Sequence, residues 1–274
     1  MPSSDLTVSL LQVNLHWEDP QANLNMLDEK IDAIREQTEL IVLPEMFTTG
    51  FSMESEKLAQ TMEGPAVNWM KIKAAQKKAV VTGSLIIKEQ GLYYNRLIWM
   101  LPNGQSGIYD KRHLFAYGEE NLHYTRGDRR LIASLKGWKI CLNVCYDLRF
   151  PEWTRQMRRV NPEGQEAAPG GEAEYDALVF VANWPQRRIQ AWQTLLQARA
   201  IENQCYVIGV NRVGRDGHGE DHLGGSSLVD PLGEILYCKT LEEDTFTYRL
   251  SPSRLMEVRT RYPFLQDRDT FLLL

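Results

Sequence analysis

The chain has 274 residues, 43% of them hydrophobic and 24% charged, with a formal net charge of −5 and four cysteines. These values predict one soluble domain spanning residues 1–274, and they give no reason to expect nucleic acid or an anionic membrane as a partner. The apolar runs are too short to span a bilayer, no signal peptide is visible, and four cysteines do not make a disulfide scaffold, so we expect a cytoplasmic protein with reduced thiols.

Short apolar runs rich in β-branched residues alternate with amphipathic segments, a pattern typical of an α/β fold. The predicted strands are 7–15, 40–44, 79–87, 96–102, 139–146, 177–183 and 205–213, and the predicted helices are 20–36 and 186–203. Several of these strands are apolar on both faces, as in a sheet that is covered on both sides. DPLGEIL at 230–236 predicts a turn between two strands, and the polar stretch 161–174 predicts a surface loop within the domain.

Three ionisable residues follow apolar strands in apolar surroundings: Glu45, Lys111 and Cys145. In α/β folds, functional sites collect at the carboxyl ends of strands. A thiol nucleophile needs a base and a group that stabilises an oxyanion, and a carboxylate and an ammonium are suited to these two roles. Each residue taken alone also has an ordinary structural explanation, as a core cysteine, a capping glutamate or a surface lysine. Residue types and spacing alone leave both interpretations open.

Four sequence blocks resemble signatures of the nitrilase, or carbon-nitrogen hydrolase, superfamily: LPEMFTTGF, YDKRHLF, NVCYDLRFPEW and the long block that begins VANWPQRRIQAW. They occur in the same order as in that superfamily and, with GGSSLVDPLGEIL, cover nearly the whole chain. Within the superfamily the sequence is most similar to the omega-amidases that act on 2-oxoglutaramate. The resemblance implies a four-layer αββα sandwich. It also implies hydrolysis of the terminal amide of 2-oxoglutaramate or 2-oxosuccinamate through a cysteine thioester, without a metal or an organic cofactor.

The family uses a Glu–Lys–Cys triad, which maps onto Glu45, Lys111 and Cys145. Many members use a second glutamate, for which GEENLHYTRG offers Glu119 and Glu120. Glu120 is preferred here because of its distance from the following glycine, Gly127. By the same resemblance, we expect Lys111 and the backbone N–H of Tyr146 to hold the oxyanion.

The substrate of an omega-amidase carries a carboxylate remote from the amide, which calls for a fixed cation, and arginine binds carboxylates bidentately. NWPQRR supplies Arg187 and Arg188, of which Arg187 is the predicted contact. Phe47 and Tyr146 flank the predicted catalytic residues and are expected to line the acyl channel, with Trp184 as an aromatic wall.

Other functions are not excluded. The chain could belong to another branch of the superfamily, such as an N-carbamoyl amidohydrolase, an aliphatic amidase or a deaminated-glutathione amidase. A non-catalytic scaffold on the same fold is a further alternative, although the intact triad argues against it. His218 and His222 in DGHGEDH suggest a metal site, but Gly217 and Gly219 mark a flexible turn and no helix fixes the spacing of the histidines, so we expect a solvated loop. The remaining cysteines lie in apolar runs and are expected in the core: Cys141, Cys205 and Cys238.

Family members usually pair through a helix face into an αββα–αββα dimer, so the resemblance also implies a homodimer. Trp153, Trp192 and Ile201 are the expected contributors. The C-terminal YPFLQDRDTFLLL is expected to lie over the partner or over the seam between the two protomers, because a monomer rarely leaves three consecutive leucines exposed.

Overall fold

The structure, a computed structural model, describes residues 2–156 and 173–269. The strands in these ranges are β1 (Leu6–Gln12), β2 (Leu40–Val42), β3 (Val80–Glu89), β4 (Leu92–Met100), β5 (Ser106–Asp110), β6 (Leu131–Leu135), β7 (Trp138–Val144), β8 (Ala177–Val181), β9 (Tyr206–Val210), β10 (Val213–Arg215), β11 (Asp221–Val229), β12 (Ile235–Thr240) and β13 (Asp244–Leu250). The helices are α1 (Pro20–Asp32), α2 (Ser55–Leu58), α3 (Pro65–Lys77), α4 (Glu120–His123), α5 (Pro151–Thr154), α6 (Ile189–Asn203) and α7 (Pro252–Arg261). None of the helices in the described ranges is long and apolar enough to cross a membrane.

The described strands form two sheets. The first has six strands in the order β13-β1-β2-β3-β4-β5, and the second has seven, in the order β10-β11-β9-β8-β7-β6 with β12 paired to β11. β1, β2 and β3 run parallel in the first sheet, and β7, β8 and β9 run parallel in the second. The carboxyl ends of parallel strands meet at one edge of a sheet, and that edge is where a site can form.

Three apolar clusters show that the elements stack in four layers, αββα. The cluster between the two sheets includes Val8 of β1 and Leu142 of β7. A second cluster packs α1 and α3 on the outer face of the first sheet through side chains such as Leu27 and Met70. A third packs α6, through Leu196, on the outer face of the second sheet. The structure therefore confirms the predicted four-layer architecture.

Two residues predicted at a dimer interface are buried inside the chain instead. Trp153 packs in the cluster between the sheets, and Trp192 is fully buried, with its indole N–H donated to the carbonyl of Gly225 at 2.8 Å. The prediction is wrong for these two residues because their rings fill space between layers of the same chain. Ile201, on α6, is 54% exposed. Residues 161–172 of the predicted loop, and the C-terminal residues 270–274, lie outside the described residues.

The cysteines are all free thiols. Cys141 and Cys205 are buried, as predicted. Cys238 is exposed, contrary to the prediction, because it lies on β12, which pairs on one side with β11 and leaves its other side open among the described strands.

Candidate active site

Four polar residues at strand ends line one cavity of about 410 Å³. Cys145 follows β7 directly, Lys111 follows β5 directly, and Glu45 and Asn183 lie shortly after β2 and β8. β2 belongs to the parallel run of the first sheet, and β7 and β8 belong to that of the second. The cavity therefore lies where the carboxyl ends of strands from both sheets meet.

Lys111 is fully buried between two carboxylates, which are themselves fully buried. Its Nζ lies 2.8 Å from Oε1 of Glu45, and 3.0 and 2.9 Å from the two carboxylate oxygens of Glu120. Burial alone would lower the pKa of Lys111, but the charges of Glu120 and Glu45 outweigh it and raise that pKa above its ordinary value. Lys111 is therefore an ammonium at neutral pH and can stabilise negative charge that develops next to it.

The structure places Glu120, and not Glu119, against Lys111. The Oε2 of Glu120 also accepts the backbone N–H of Phe115 at 2.6 Å. This carboxylate therefore contacts both Lys111 and the backbone four residues further along the chain. Burial raises the pKa of Glu120, and the charge of Lys111 opposes that increase. Glu119 is exposed at the mouth of the cavity and has a φ of 62°, in the left-handed region.

Cys145 begins a tight 3₁₀ turn, Cys145–Arg149, immediately after β7. Its φ is 43°, in the left-handed region, where a residue other than glycine is strained by about 1–3 kcal/mol. Burial raises the pKa of the Cys145 thiol well above its usual value, and the negative charge of the nearby Glu45 raises it further. Cys145 at rest is therefore a thiol, and a base would be needed to make it a nucleophile.

Asp147 fixes the Cys145 turn against the segment that follows β5. This buried carboxylate accepts the backbone N–H of Val144 at 2.9 Å and the hydroxyl of Tyr109 at 2.7 Å. It also accepts the backbone N–H of His113 at 3.0 Å and lies 2.8 Å from Nδ1 of the same histidine. Four contacts on one side chain thus hold the thiol segment and the lysine segment at a set distance.

Two asparagines that the sequence analysis missed complete the site. Asn95 donates its side-chain N–H to Oε1 of Glu45 at 2.8 Å and to Oε1 of Glu120 at 3.1 Å. The backbone N–H of Asn183 donates to the other oxygen of Glu45 at 2.9 Å, and its side chain donates to the Glu45 carbonyl at 2.6 Å. Both oxygens of Glu45 are thereby oriented. The signal in the sequence was an asparagine inside one apolar strand, LYYNRLIWM, and another just after ALVFVA.

Of the predicted substrate contacts, Tyr146, Trp184 and Arg187 line the cavity. Phe47 is fully buried in the cluster between the first sheet and its helices, with its ring centroid 5.8 Å from that of Trp69. Met46 has a φ of 44°, so the chain turns sharply between Glu45 and Phe47. The expectation that Phe47 lines the acyl channel is therefore wrong.

The segment DGHGEDH forms part of the cavity rim. His218 and His222 both line the cavity, and Nε2 of His222 lies 3.0 Å from Oδ2 of Asp216. His222 is buried, so the expectation of a solvated loop is wrong for this residue. At the same rim, Nε of Arg187 pairs with Oε2 of Glu220 at 3.1 Å.

Comparison with known proteins agrees with this geometry. The family described as carbon-nitrogen hydrolase matches residues 7–260. The chain belongs to the carbon-nitrogen hydrolase family. It is a hydrolase that acts on carbon–nitrogen bonds. Glu45, Lys111 and Cys145 lie in three of the four sequence blocks that resemble this family.

Two curated carbon-nitrogen hydrolases and one solved structure are similar to the chain over nearly its whole length. The omega-amidase YafV of Escherichia coli strain K12 is 42% identical over 98% of both chains. The 2-oxoglutaramate amidase of Bacillus subtilis is 32% identical and covers 95% of this chain and 96% of its own. The structure of XC1258 from Xanthomonas campestris, a CN-hydrolase superfamily protein with an arsenic adduct in its active site, has a TM-score of 0.93 and 42% identity, covering 99% of this chain and all of that one.

Proposed function

We propose that the protein is an omega-amidase that hydrolyses the terminal amide of 2-oxoglutaramate, and of 2-oxosuccinamate, to the 2-oxo diacid and ammonia. The observation that carries the proposal is the buried cluster in which Lys111 bridges Glu45 and Glu120 in the cavity that the thiol of Cys145 also lines. The similarity to the E. coli omega-amidase and the B. subtilis 2-oxoglutaramate amidase supports this choice of substrate.

In the first half of the proposed reaction, Glu45 takes the proton of the Cys145 thiol and the sulfur attacks the amide carbon. The carbonyl electron pair moves to oxygen, where the ammonium of Lys111 and the backbone N–H of Tyr146 stabilise the negative charge. As the intermediate collapses, the carbon–nitrogen bond breaks and Glu45 returns its proton to the leaving nitrogen. Ammonia departs, and the acyl group stays on Cys145 as a thioester.

In the second half, Glu45 takes a proton from water, and the hydroxyl oxygen attacks the thioester carbon. The carbon–sulfur bond then breaks and the proton on Glu45 returns to sulfur, which restores the thiol. Glu120 keeps Lys111 oriented throughout, because both of its oxygens contact the lysine. All of these steps use residues of this chain and water, without a metal or an organic cofactor.

Tyr146 and Trp184 support a substrate with a short, flat acyl chain. Tyr146 directly follows the nucleophile, and its ring lies edge-on to Phe115, with the centroids 5.0 Å apart. Trp184 is held by a hydrogen bond from its backbone N–H to Oδ1 of Asn211 at 2.7 Å. Both aromatic side chains line the cavity. In the proposal they form the walls along which the acyl chain lies.

Ammonia release from a panel of amides tests the proposed function. We expect turnover of 2-oxoglutaramate and 2-oxosuccinamate to exceed that of propionamide, an N-carbamoyl amino acid and deaminated glutathione. Cys145→Ala should lose activity almost completely, because no thioester can form, while its melting temperature stays near that of the wild type. Preference for one of the other compounds would move the protein to another branch of the family. Inactivity on all of them, with Cys145 unreactive to iodoacetamide, would favour a non-catalytic scaffold.

We also propose that the protein works in the cytoplasm as a homodimer. The free cysteines support a reducing compartment, because the proposed mechanism needs a reduced thiol. The exposed apolar side chain of Ile201 on α6 supports a partner on that face.

A further inference from the structure

Three arginines line the catalytic cavity, and they differ in their exposure and in whether a carboxylate forms an ion pair with them. Arg187 is 53% exposed and pairs with Glu220 at the rim. Arg149 is exposed, and its guanidinium lies 5.1 Å from the ring centroid of Trp184. Arg188 is partly buried, and no carboxylate among the described residues forms an ion pair with it. Within the described residues, Arg149 and Arg188 therefore both lack a carboxylate partner, and Arg188 is the more buried of the two.

Arg188 is held close to the nucleophile by aromatic side chains and by its own backbone. Its guanidinium carbon lies 5.2 Å from the ring centroid of Phe115, and that ring contacts Tyr146, the residue after Cys145. The indole N–H of Trp184 donates to the carbonyl of Arg188 at 2.8 Å, which fixes the backbone at the start of α6. An arginine stacked on an aromatic ring still presents the edge of its guanidinium to a ligand.

The electrostatic surroundings of Arg188 favour a bound anion. Burial and the neighbouring charge of Arg187 lower the pKa of Arg188, and Arg149 acts in the same direction. Glu220 and Cys145 oppose this effect without forming an ion pair with it. The free-energy cost of dehydrating this guanidinium is thus only partly compensated by the negative charges of the chain. A carboxylate bound in the cavity would compensate this cost directly.

We infer that Arg188 binds the carboxylate of the substrate and so selects ω-amides of 2-oxo acids over neutral amides. This inference rests on the proposed function, because it assigns the charged end of the proposed substrate to a named side chain. Arg187, the residue that the sequence favoured for this role, is already neutralised by Glu220. With the amide at Cys145, a short acyl chain would run past Tyr146, and its carboxylate would meet the guanidinium beside Phe115.

Steady-state kinetics with a charged and a neutral amide test the inference. Arg188→Met keeps the apolar stem and removes the charge. We expect its KM for 2-oxoglutaramate to rise roughly 10- to 100-fold with kcat near the wild-type value, because a charge-assisted hydrogen bond is lost. Its kcat/KM for pentanamide should not fall. Arg188→Lys should retain part of the affinity for 2-oxoglutaramate, since it keeps the charge but loses the bidentate geometry.

Three further variants, Arg187→Met, Arg149→Met and Arg249→Met, control the kinetic experiment. Arg187→Met tests the rival assignment, and we expect a smaller rise in KM than for Arg188→Met. Arg249→Met removes an exposed arginine of β13 and should leave both substrates within about twofold of wild type. An unchanged KM in Arg188→Met, an equal loss on both amides, or a larger loss in Arg187→Met or Arg149→Met would overturn the inference.

A second measurement does not depend on the proposed substrate. Iodoacetate and iodoacetamide both alkylate Cys145, but only iodoacetate is an anion, so a nearby cation should accelerate iodoacetate selectively. We expect Arg188→Met to lower the ratio of the iodoacetate rate to the iodoacetamide rate severalfold, and Arg249→Met to leave it unchanged. An unchanged ratio in Arg188→Met contradicts anion binding by this residue. If the ratio falls but the wild type releases no ammonia from 2-oxoglutaramate, the proposed function fails and Arg188 remains an anion-binding residue.

Discussion

The charge balance around Lys111 sets the protonation state of the Cys145 thiol. Burial and the charge of Glu45 raise the pKa of the thiol, Lys111 lowers it, and Glu120 raises it again. In the proposed mechanism each of the two carboxylates therefore has two opposing effects. Each holds the ammonium of Lys111 in place, and each keeps the sulfur protonated until Glu45 accepts its proton. This balance explains why a family that uses cysteine as a nucleophile needs a base in addition to a cation.

Glu120→Gln tests this balance at the level of one residue. Glutamine keeps the size of the side chain but removes one negative charge, so the pKa of Cys145 should fall. The pH dependence of iodoacetamide alkylation should shift to lower pH than in the wild type. Amidase kcat should nevertheless fall, by up to about 10²-fold, because Lys111 loses the partner that orients it.

Two controls accompany the Glu120→Gln measurement. Alkylation of the exposed Cys238 is subtracted with the Cys145→Ala variant. Glu119→Gln changes the same chemical group one residue away, at an exposed position, and should shift the alkylation profile far less. A Glu120→Gln profile that stays in place, or moves to higher pH, would show that Glu120 does not act on the thiol through its charge.

Glu45, Lys111 and Cys145 drew attention in the sequence because ionisable groups seldom follow apolar strands, and the family resemblance assigned their roles. The structure brings all three into one cavity, whereas the direction of a side chain and its partners could not be predicted from residue order. Phe47 looked equally suitable, but the backbone turn at Met46 directs it into the core, and residue order does not reveal such a turn.

At the scale of elements, the end of β5 is held by a glycine that tolerates no side chain. Gly127 donates its N–H to the carbonyl of Lys111 at 3.0 Å. A Cβ at this position would lie 2.2 Å from the backbone oxygen of Asp110 and 2.9 Å from its carbonyl carbon. The close approach of these two backbone segments thus determines where β5 ends and where the lysine emerges.

Gly127→Ala should therefore disturb both folding and catalysis. The methyl group must push the strand end away, which we expect to cost about 1–3 kcal/mol of unfolding free energy and to lower kcat by displacing Lys111. Gly107→Ala, in β5 itself, is the matched control, because its nearest contact is the flexible end of Leu131 at 3.3 Å. Urea denaturation and amidase assays measure the two effects. A Gly127→Ala enzyme with wild-type stability and turnover would contradict the role of this contact.

The strands and helices that are easiest to predict from the sequence are those whose residues are buried apolar side chains. Strands covered on both faces, such as β8 and β9, are continuous runs without charged residues and were predicted within a few residues. Helix α3 was not predicted, although Ala66, Met70 and Ala74 lie four residues apart on its buried face. Two of these three are alanines, and its lysines and polar side chains weaken the apolar stripe. The pairing of two sheets into one sandwich came from the family resemblance, because periodicity within a strand contains no information about its distant neighbours.

At the scale of the whole molecule, α6 presents an apolar surface that the chain does not cover among its described residues. Ile201 is 54% exposed, and Leu232, in the turn between β11 and β12, is 42% exposed. The two positions are neighbours, since a Cβ at Gly233 would lie 2.6 Å from Cγ1 of Ile201. An apolar surface of this kind on the outer layer fits the proposed homodimer.

A charge placed on this surface should separate the protomers. We expect the wild type to sediment as a dimer at micromolar concentration and Ile201→Asp to sediment as a monomer, because an aspartate buried at an interface loses its hydration without gaining a partner. Ile72→Asp on α3 is the matched control: Ile72 is 55% exposed but lies on the helix layer of the other sheet, so this variant should remain dimeric. If Ile201→Asp stays a dimer, the interface lies elsewhere, and a monomeric wild type would exclude the proposed homodimer. Since the catalytic cluster is built from one chain, a monomeric Ile201→Asp that keeps its Cys145-dependent turnover would show that pairing is not needed to assemble the site.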